Sequence, residues 1–287
     1  MARAYILYNE RAGKCNALDS VKQLETSIND EICYVEITAI PDYRAFLSTL
    51  EKDDYIILAG GDGTLNHFVN DVDGIEFDNE VLYYPNGSGN DFARDLGYSQ
   101  NDHPFCIREY IKDLPKVTVN GKTYRFINGV GFGIDGYSCA VGEELRQQGT
   151  KGVNYTTIAI KGAFLYYKPP GAKVTVDGET RTYKRVWLAP TMNGRYYGGG
   201  MIPTPHQKRN SNQLSTLVFH GSRIIKSLII FSTFFKGGHL KYKKHIEVLT
   251  GKTITVEFDQ PVDLQIDGEA IRNITSYTAT VPEAEIA

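Results

Sequence analysis

The chain has 287 residues, of which 41% are hydrophobic and 23% charged, and its formal net charge is −3. That length exceeds what one compact core needs and predicts two domains. The near-neutral balance excludes a general electrostatic attraction to nucleic acid. Four cysteines, Cys15, Cys33, Cys106 and Cys139, stand far apart with no C-x-x-C pair, which fits reduced cytoplasmic thiols rather than a disulfide framework. The longest apolar stretch, from Ser227 to Phe235, falls short of the roughly 20 residues that span a bilayer. The N-terminus reads as a strand and not as a signal peptide. A cytoplasmic protein is expected, with any membrane contact peripheral at the inner face.

In chain order, Tyr5-Ile6-Leu7-Tyr8 reads as a buried strand, followed by Val21, Leu24 and Ile28 at helical spacing. Ile32–Ile37 reads as a strand and Pro41–Lys52 as a helix opened by proline. Tyr55–Leu58 is a third strand ending at Gly60, and Thr64–Asn70 continues as helix. Val81–Tyr84 is a fourth strand ending at Pro85, with a helix from about Asn90. Such alternation predicts a parallel sheet covered on both faces, with ligands beyond the strand C-termini.

From Lys116 the pattern changes. Asn120-Gly121 and Asp177-Gly178 each separate two short alternating runs, a hairpin signal. Further strands are predicted at Leu214–Phe219, His245–Leu249, Thr253–Phe258 and Val262–Ile266, and helices at Ser138–Gln147, Tyr155–Tyr166 and Ile224–Phe235. The expected fold class is α/β + β: an α/β domain over 1–115 with a parallel sheet, and a mostly antiparallel β domain over 116–278. The cleft between them is the expected active-site position.

Two stretches carry the chemistry. Gly60-Gly61-Asp62-Gly63-Thr64 and Pro85-Asn86-Gly87-Ser88-Gly89-Asn90-Asp91-Phe92 each follow a strand and open a helix. Glycines there admit a phosphate close to the backbone, and a helix start offers unpaired N–H donors. Asp62 reads as a carboxylate that holds Mg²⁺ on nucleotide phosphates, or else as a turn or cap aspartate. Asp267-Gly268-Glu269 offers a carboxylate to take a hydroxyl proton, or else a plain β-turn. Asp177-Gly178-Glu179 has the same spelling, and the letters cannot separate the two.

Together, Gly-Gly-Asp-Gly-Thr and Pro-Asn-Gly-Ser-Gly-Asn-Asp-Phe-Ala-Arg resemble the diacylglycerol kinase catalytic-domain family, and the resemblance spans nearly the whole chain. That family includes soluble bacterial lipid kinases, sphingosine kinases and ceramide kinases. Asn9 to Lys14 is similar to its opening nucleotide loop, and Thr38 falls at a nucleotide-contacting position. Phe126-Ile127-Asn128 with Gly131 to Asp135, then Asn193-Gly194 with Gly198 to Pro205, are similar to its second-domain motifs.

The resemblance implies an α/β nucleotide-binding domain over 1–115 and an antiparallel β-sandwich over 116–278 that carries the lipid substrate, together forming an ATP- and Mg²⁺-dependent lipid kinase that phosphorylates diacylglycerol to phosphatidate. ATP would be held by Asn9, Gly13, Lys14, Thr38, Gly60, Gly61, Asp62, Gly63, Thr64, Leu65, Asn66, Gly87, Ser88 and Asn90. Asp62, Asp91 and Asp135 would organise the nucleotide Mg²⁺, directly or through water. Glu269 would act as general base, with Asp62 and Asp267 as further catalytic carboxylates. The tail 279–287 would return to the first domain. The expected partners are a lipid substrate and, transiently, a membrane surface, with no nucleic acid; a homodimer stays open.

Three positions depart from the family pattern: His67 stands for a glutamate, Ser88 for a threonine, and Asn210–Ser215 carries no carboxylate where bacterial members hold a structural Mg²⁺. That second metal site, at 208–215, is expected to be absent or replaced by hydrogen bonds. Phe231–His245 sets three phenylalanines beside four lysines, which reads as a core helix with a solvated strand or as a seat on anionic lipid. Two other functions compete: an NAD kinase-like enzyme, sharing Gly-Gly-Asp-Gly-Thr, and a non-catalytic lipid- or nucleotide-binding relative.

Overall fold

The computed structural model describes residues 2–10, 17–148, 158 and 167–282. The chain divides into two compact units, Met1–Asp113 and Leu114–Ala287. The first is built on a five-stranded sheet in the order β2-β1-β3-β4-β5. Its strands are β1 (Arg3–Tyr8), β2 (Glu31–Glu36), β3 (Tyr55–Gly60), β4 (Glu80–Pro85) and β5 (Phe105–Cys106). The first four are parallel, as the alternation predicts, and β5 adds an antiparallel edge that the short Phe105-Cys106 pair does not announce.

Alternate residues of each strand face opposite layers. Ala4, Ile6, Tyr8, Ile57 and Ala59 pack with Val21 of helix α1 (Ala17–Lys22) and with Leu24 in the 3₁₀ turn that follows it. On the other face, Tyr5 meets Phe46 of α2 (Tyr43–Leu47), and Tyr43 meets Phe68 of α3 (Asp62–Asp71). Tyr83 stacks edge-on against Phe92 of α4 (Asp91–Asp95). A short α5 (Arg108–Ile111) closes the unit. Helix α2 is shorter than the predicted Pro41–Lys52, because Asp42 caps it by accepting from the N–H groups of Arg44 and Ala45.

The second unit is a ten-stranded antiparallel sheet. Its strands are β6 (Lys116–Val119), β7 (Lys122–Arg125), β8 (Gly129–Gly133), β9 (Ala172–Val176), β10 (Glu179–Tyr183), β11 (Val186–Met192), β12 (Leu214–His220), β13 (Ile246–Gly251), β14 (Thr253–Ile266) and β15 (Glu269–Thr280). The helices α6 (Ile134–Gln147) and α7 (Ile224–Ser232) accompany them. The two strands predicted at Thr253–Phe258 and Val262–Ile266 are one long strand, β14, whose register with β15 shifts between Glu257 and Val262. Its first half pairs β9 and its second half β8.

Val117, Phe132, Val174, Val218, Ile254 and Leu264 share one core, and Arg181 and Tyr183 of β10 bond Glu247 of β13. The tail begins inside this sheet: Ala279 and Thr280 pair Val117 and Lys116, and Val281 donates to Lys252. Residues 279–281 therefore belong to the second unit, where their backbone groups find partners, while 283–287 lie outside the described residues. The predicted helix at Tyr155–Tyr166 also lies outside them, apart from Ile158, a helical position.

Candidate active site

The predicted nucleotide residues of the first unit that are described line the C-terminal edge of its parallel strands: Asn9 follows β1, Thr38 follows β2, Gly60–Asn66 runs from β3 into α3, and Gly87–Asn90 joins β4 to α4. Sheet order reverses between β1 and β3, which is where such sheets bind ligands. Gly13 and Lys14 lie outside the described residues. Thr38 is exposed, and its hydroxyl donates to Glu36.

The two Gly-rich turns touch each other. A Cβ on Gly87 would stand 2.3 Å from the Gly61 Cα, and one on Gly61 would stand 3.0 Å from the Gly87 Cα. Both positions need glycine for this close approach as well as for any ligand. Asn86 N–H and the Tyr83 hydroxyl both donate to the Gly60 carbonyl. Asn90 takes a left-handed conformation and folds its amide back on Gly87, accepting from its N–H at 2.9 Å and donating to its carbonyl at 2.8 Å.

Asp62 ties the turns together. Its two carboxylate oxygens accept from the N–H groups of Asp91 and Phe92, each at 2.9 Å. The sequence offered a metal ligand or a local cap; the structure adds a cap on a different helix, 29 residues away. The two helix starts are therefore unequal. At α4 the first donors are engaged by Asp62, whereas the N-cap of α3 is Gly61, which has no side chain to cap it, and helix starts of this kind suit anions. Buried Asp91 pairs with Arg94 at 3.5 Å. Thr64, Leu65 and Asn66 are buried and Ser88 is exposed. His67 is exposed on α3.

In the second unit four separately read stretches converge. The Asp267 carboxylate, in the β14–β15 turn, accepts from the N–H groups of Ile127, Asn128 and Gly129, the last two at 2.8 and 2.9 Å. Asn193 donates to the Ile127 carbonyl at 2.9 Å, and Arg209 reaches the same carbonyl at 2.6 Å and the Asn128 side chain at 2.5 Å. Gly268 N–H donates to Gln265. Glu269 follows as an exposed residue at the start of β15. The companion turn at Asp177 has the same positive φ pair, 48° and 90° against 47° and 99°, and Asp177 likewise accepts from the N–H groups of Lys252 and Thr253. The turns are alike in construction and differ in surroundings. Arg209, Gln207 and Gln265 were not singled out from sequence, since lone polar residues in loops and strands carry no spacing signal.

Asp135 opens α6 with a buried side chain that fills the space over Gly131, where a Cβ would lie 2.0 Å from its Oδ2 and 3.3 Å from Gln265 Nε2. Among the described residues neither carboxyl oxygen has a well-formed hydrogen bond. Burial pushes its pKa up to about 6, and the peptide N–H of Gly136, the Gln265 amide and the Tyr197 hydroxyl only partly oppose this. The folded state thus binds the proton more tightly than the unfolded chain, so stability falls as pH rises from about 4 to 6 and levels off above. Asp135→Asn is expected to stabilise the unit by about 3 kcal/mol at pH 8, a gap that closes below pH 4. Denaturant titrations at pH 4, 6 and 8 test this; a gap independent of pH contradicts it.

The stretch 208–215 is organised around an amide. Gln207 Nε2 donates to the carbonyls of Lys208 at 3.1 Å and Gln213 at 2.8 Å, and Ser215 Oγ donates to its Oε1 at 2.6 Å. Carbonyls directed at an N–H₂ group, with no carboxylate in the stretch, do not fit a hard divalent ion. No group of three or more His, Cys, Asp or Glu suited to a metal occurs among the described residues.

Comparison with known proteins matches residues 3–119 to the diacylglycerol kinase catalytic domain and residues 128–285 to the YegS C-terminal NAD kinase beta sandwich-like domain. The chain belongs to the diacylglycerol kinase catalytic-domain family. It is similar to a diacylglycerol kinase of Mycobacterium tuberculosis, 25% identical over 80% of this chain and 75% of that protein. It is also similar to one of Bacillus subtilis, 24% identical over 94% and 90%. The crystal structure of a diacylglycerol kinase from Bacillus anthracis shares the fold, with a TM-score of 0.60 and 20% identity over 100% of this chain and 98% of that one. The family is one of lipid kinases, and no helix among the described residues is long and apolar enough to cross a membrane.

Proposed function

We propose that this chain transfers the γ-phosphoryl group of ATP to the hydroxyl of a lipid, diacylglycerol being the acceptor and phosphatidate the product. The observation that carries the reading is the coupled pair of Gly-rich turns at the sheet edge, in close contact at Gly61 and Gly87 and joined by the Asp62 carboxylate to the Pro85–Arg94 motif. ATP phosphates belong on the Gly60–Asn66 turn, with Asn9, Gly13, Lys14, Thr38, Gly87, Ser88 and Asn90 as the remaining nucleotide positions.

Mg²⁺ bound with the nucleotide would neutralise charge on the phosphate oxygens, and Asp62, Asp91 and Asp135 are the residues that would hold it, directly or through water. A carboxylate has roughly four acceptor positions, so the two N–H bonds to Asp62 are compatible with that role. Glu269 takes the proton of the lipid hydroxyl as its oxygen bonds the γ-phosphorus. The bond from that phosphorus to the β–γ bridging oxygen breaks, and ADP leaves with the electron pair.

The test is transfer from labelled ATP to diacylglycerol, phosphatidylglycerol, sphingosine, ceramide, undecaprenol and NAD. Label in phosphatidate is expected, with Glu269→Gln lowering kcat about 10²–10⁴-fold while the KM for ATP holds. Label in NAD alone would replace this reading with the NAD kinase-like one, and nucleotide binding without transfer to any acceptor would favour a non-catalytic relative.

A further inference from the structure

Helix α7 presents two unlike faces. Ile230 and Phe231, with Phe234 just beyond, pack against Trp187, Leu217 and Phe219 on the outer side of β11 and β12. Two of the three phenylalanines that suggested a lipid contact are thus core residues, and two 3₁₀ turns, Phe234–Lys236 and Gly238–Lys241, stand between α7 and strand β13. The outward face is apolar all the same: Ile225 is 74% and Ile229 55% exposed, one turn apart, with Ile224 and Phe235 at 36% and 37%. Of the large apolar side chains exposed among the described residues, only Tyr98 and Val248 lie elsewhere.

The charge around this face has one sign. From Gly221 to Ile246 the sequence holds Arg223, Lys226, Lys236, Lys241, Lys243 and Lys244 and no Asp or Glu, in a chain whose net charge is −3. All six basic residues are exposed. A solvated helix has no need of isoleucine at 74% exposure, and a copy-to-copy contact would set six like charges against six. An anionic bilayer surface satisfies both features, since it takes apolar side chains to the acyl boundary while lysines reach the headgroups.

We propose that α7 and the two 3₁₀ turns after it form the membrane-docking surface of this protein, with Ile225 and Ile229 inserted and Arg223, Lys226, Lys236, Lys241, Lys243 and Lys244 on anionic headgroups. The proposal concerns binding alone and stands whether or not the lipid is phosphorylated.

Sedimentation with vesicles of phosphatidylcholine, with and without phosphatidylglycerol, tests it in the absence of nucleotide. Wild-type chain is expected on the anionic vesicles only, with binding that weakens as salt is raised. Ile225→Ser/Ile229→Ser is expected to lower partitioning at least about tenfold, and each Lys→Ala at 241, 243 or 244 about fivefold. All these side chains are exposed or outward-facing, and circular dichroism and thermal melts verify that the variants fold. Wild-type binding to neutral vesicles alone, or anionic binding unchanged in the isoleucine pair, overturns the proposal. So does loss of a dimer in that pair at unchanged vesicle binding, which would identify the face as a contact between copies. A variant that leaves the vesicles yet phosphorylates a dispersed short-chain lipid at the normal rate supports docking separately from chemistry.

Discussion

Asp62→Ala is expected to lower phosphoryl transfer about 10²–10³-fold and to destabilise the first unit by about 3 kcal/mol. The two losses have different origins. The catalytic loss removes a carboxylate assigned to the nucleotide's metal. The stability loss follows from bonds already in place: the N–H groups of Asp91 and Phe92, at the buried start of α4, each lose a charged acceptor at 2.9 Å. For a unit of this size the fall in melting temperature is about 10 °C. Hydrogen exchange at those two amides should accelerate well beyond that at the amides of β3. Asp62→Asn separates the roles, because it keeps one carbonyl acceptor and turns an N–H₂ toward the other amide. It should recover part of the stability and little of the activity. Normal turnover in both variants would remove the kinase assignment; unchanged exchange at Asp91 and Phe92 would remove the capping role.

What could be read in advance follows from how local each signal is. The parallel strands of the first unit are short β-branched and aromatic runs ending at Gly60 and Pro85, and they stand where that pattern puts them. Asn120-Gly121 and Asp177-Gly178 form the expected hairpins because two-residue turns with positive φ prefer such pairs. Strand β8 was not predicted, since Gly-Val-Gly-Phe-Gly looks like a loop; its glycines at 129 and 131 make room for Met192 and Asp135, neighbours fixed only by tertiary structure. Strand β15 escaped notice because Glu269–Thr280 alternates weakly, and its pairing with both β14 and β6 makes up the difference. At the site, the residue types were legible and their partners were not. That Asp62 caps α4, that Asp267 holds Ile127–Gly129, and that Gln207 occupies the centre of 208–215 all depend on contacts between distant segments.

The paired Asp-Gly-Glu turns allow the base assignment to be tested against an internal control. Asp267→Ala leaves three amides, those of Ile127, Asn128 and Gly129, without the carboxylate that now accepts from them. With charge-assisted bonds in a partly buried setting, the expected loss is about 3–5 kcal/mol in the second unit. Asp177→Ala removes the same kind of carboxylate from an exposed turn that serves Lys252 and Thr253, and about 1 kcal/mol is expected. Both changes spare the glycine and the glutamate of their turns, so hairpin closure itself is perturbed equally. Only at 267 does the carboxylate also clasp the Phe126–Asn128 segment that Asn193 and Arg209 bond. Asp267→Ala should therefore lower kcat by more than its stability loss explains when assayed well below the melting temperature, through displacement of Glu269 and Asn128. Asp177→Ala and Glu179→Gln should leave kcat unchanged. Equal effects at the two turns would reduce Asp267-Gly268-Glu269 to hairpin closure, and the next carboxylate to substitute as proton acceptor would be buried Asp135, whose pKa is raised to about 6.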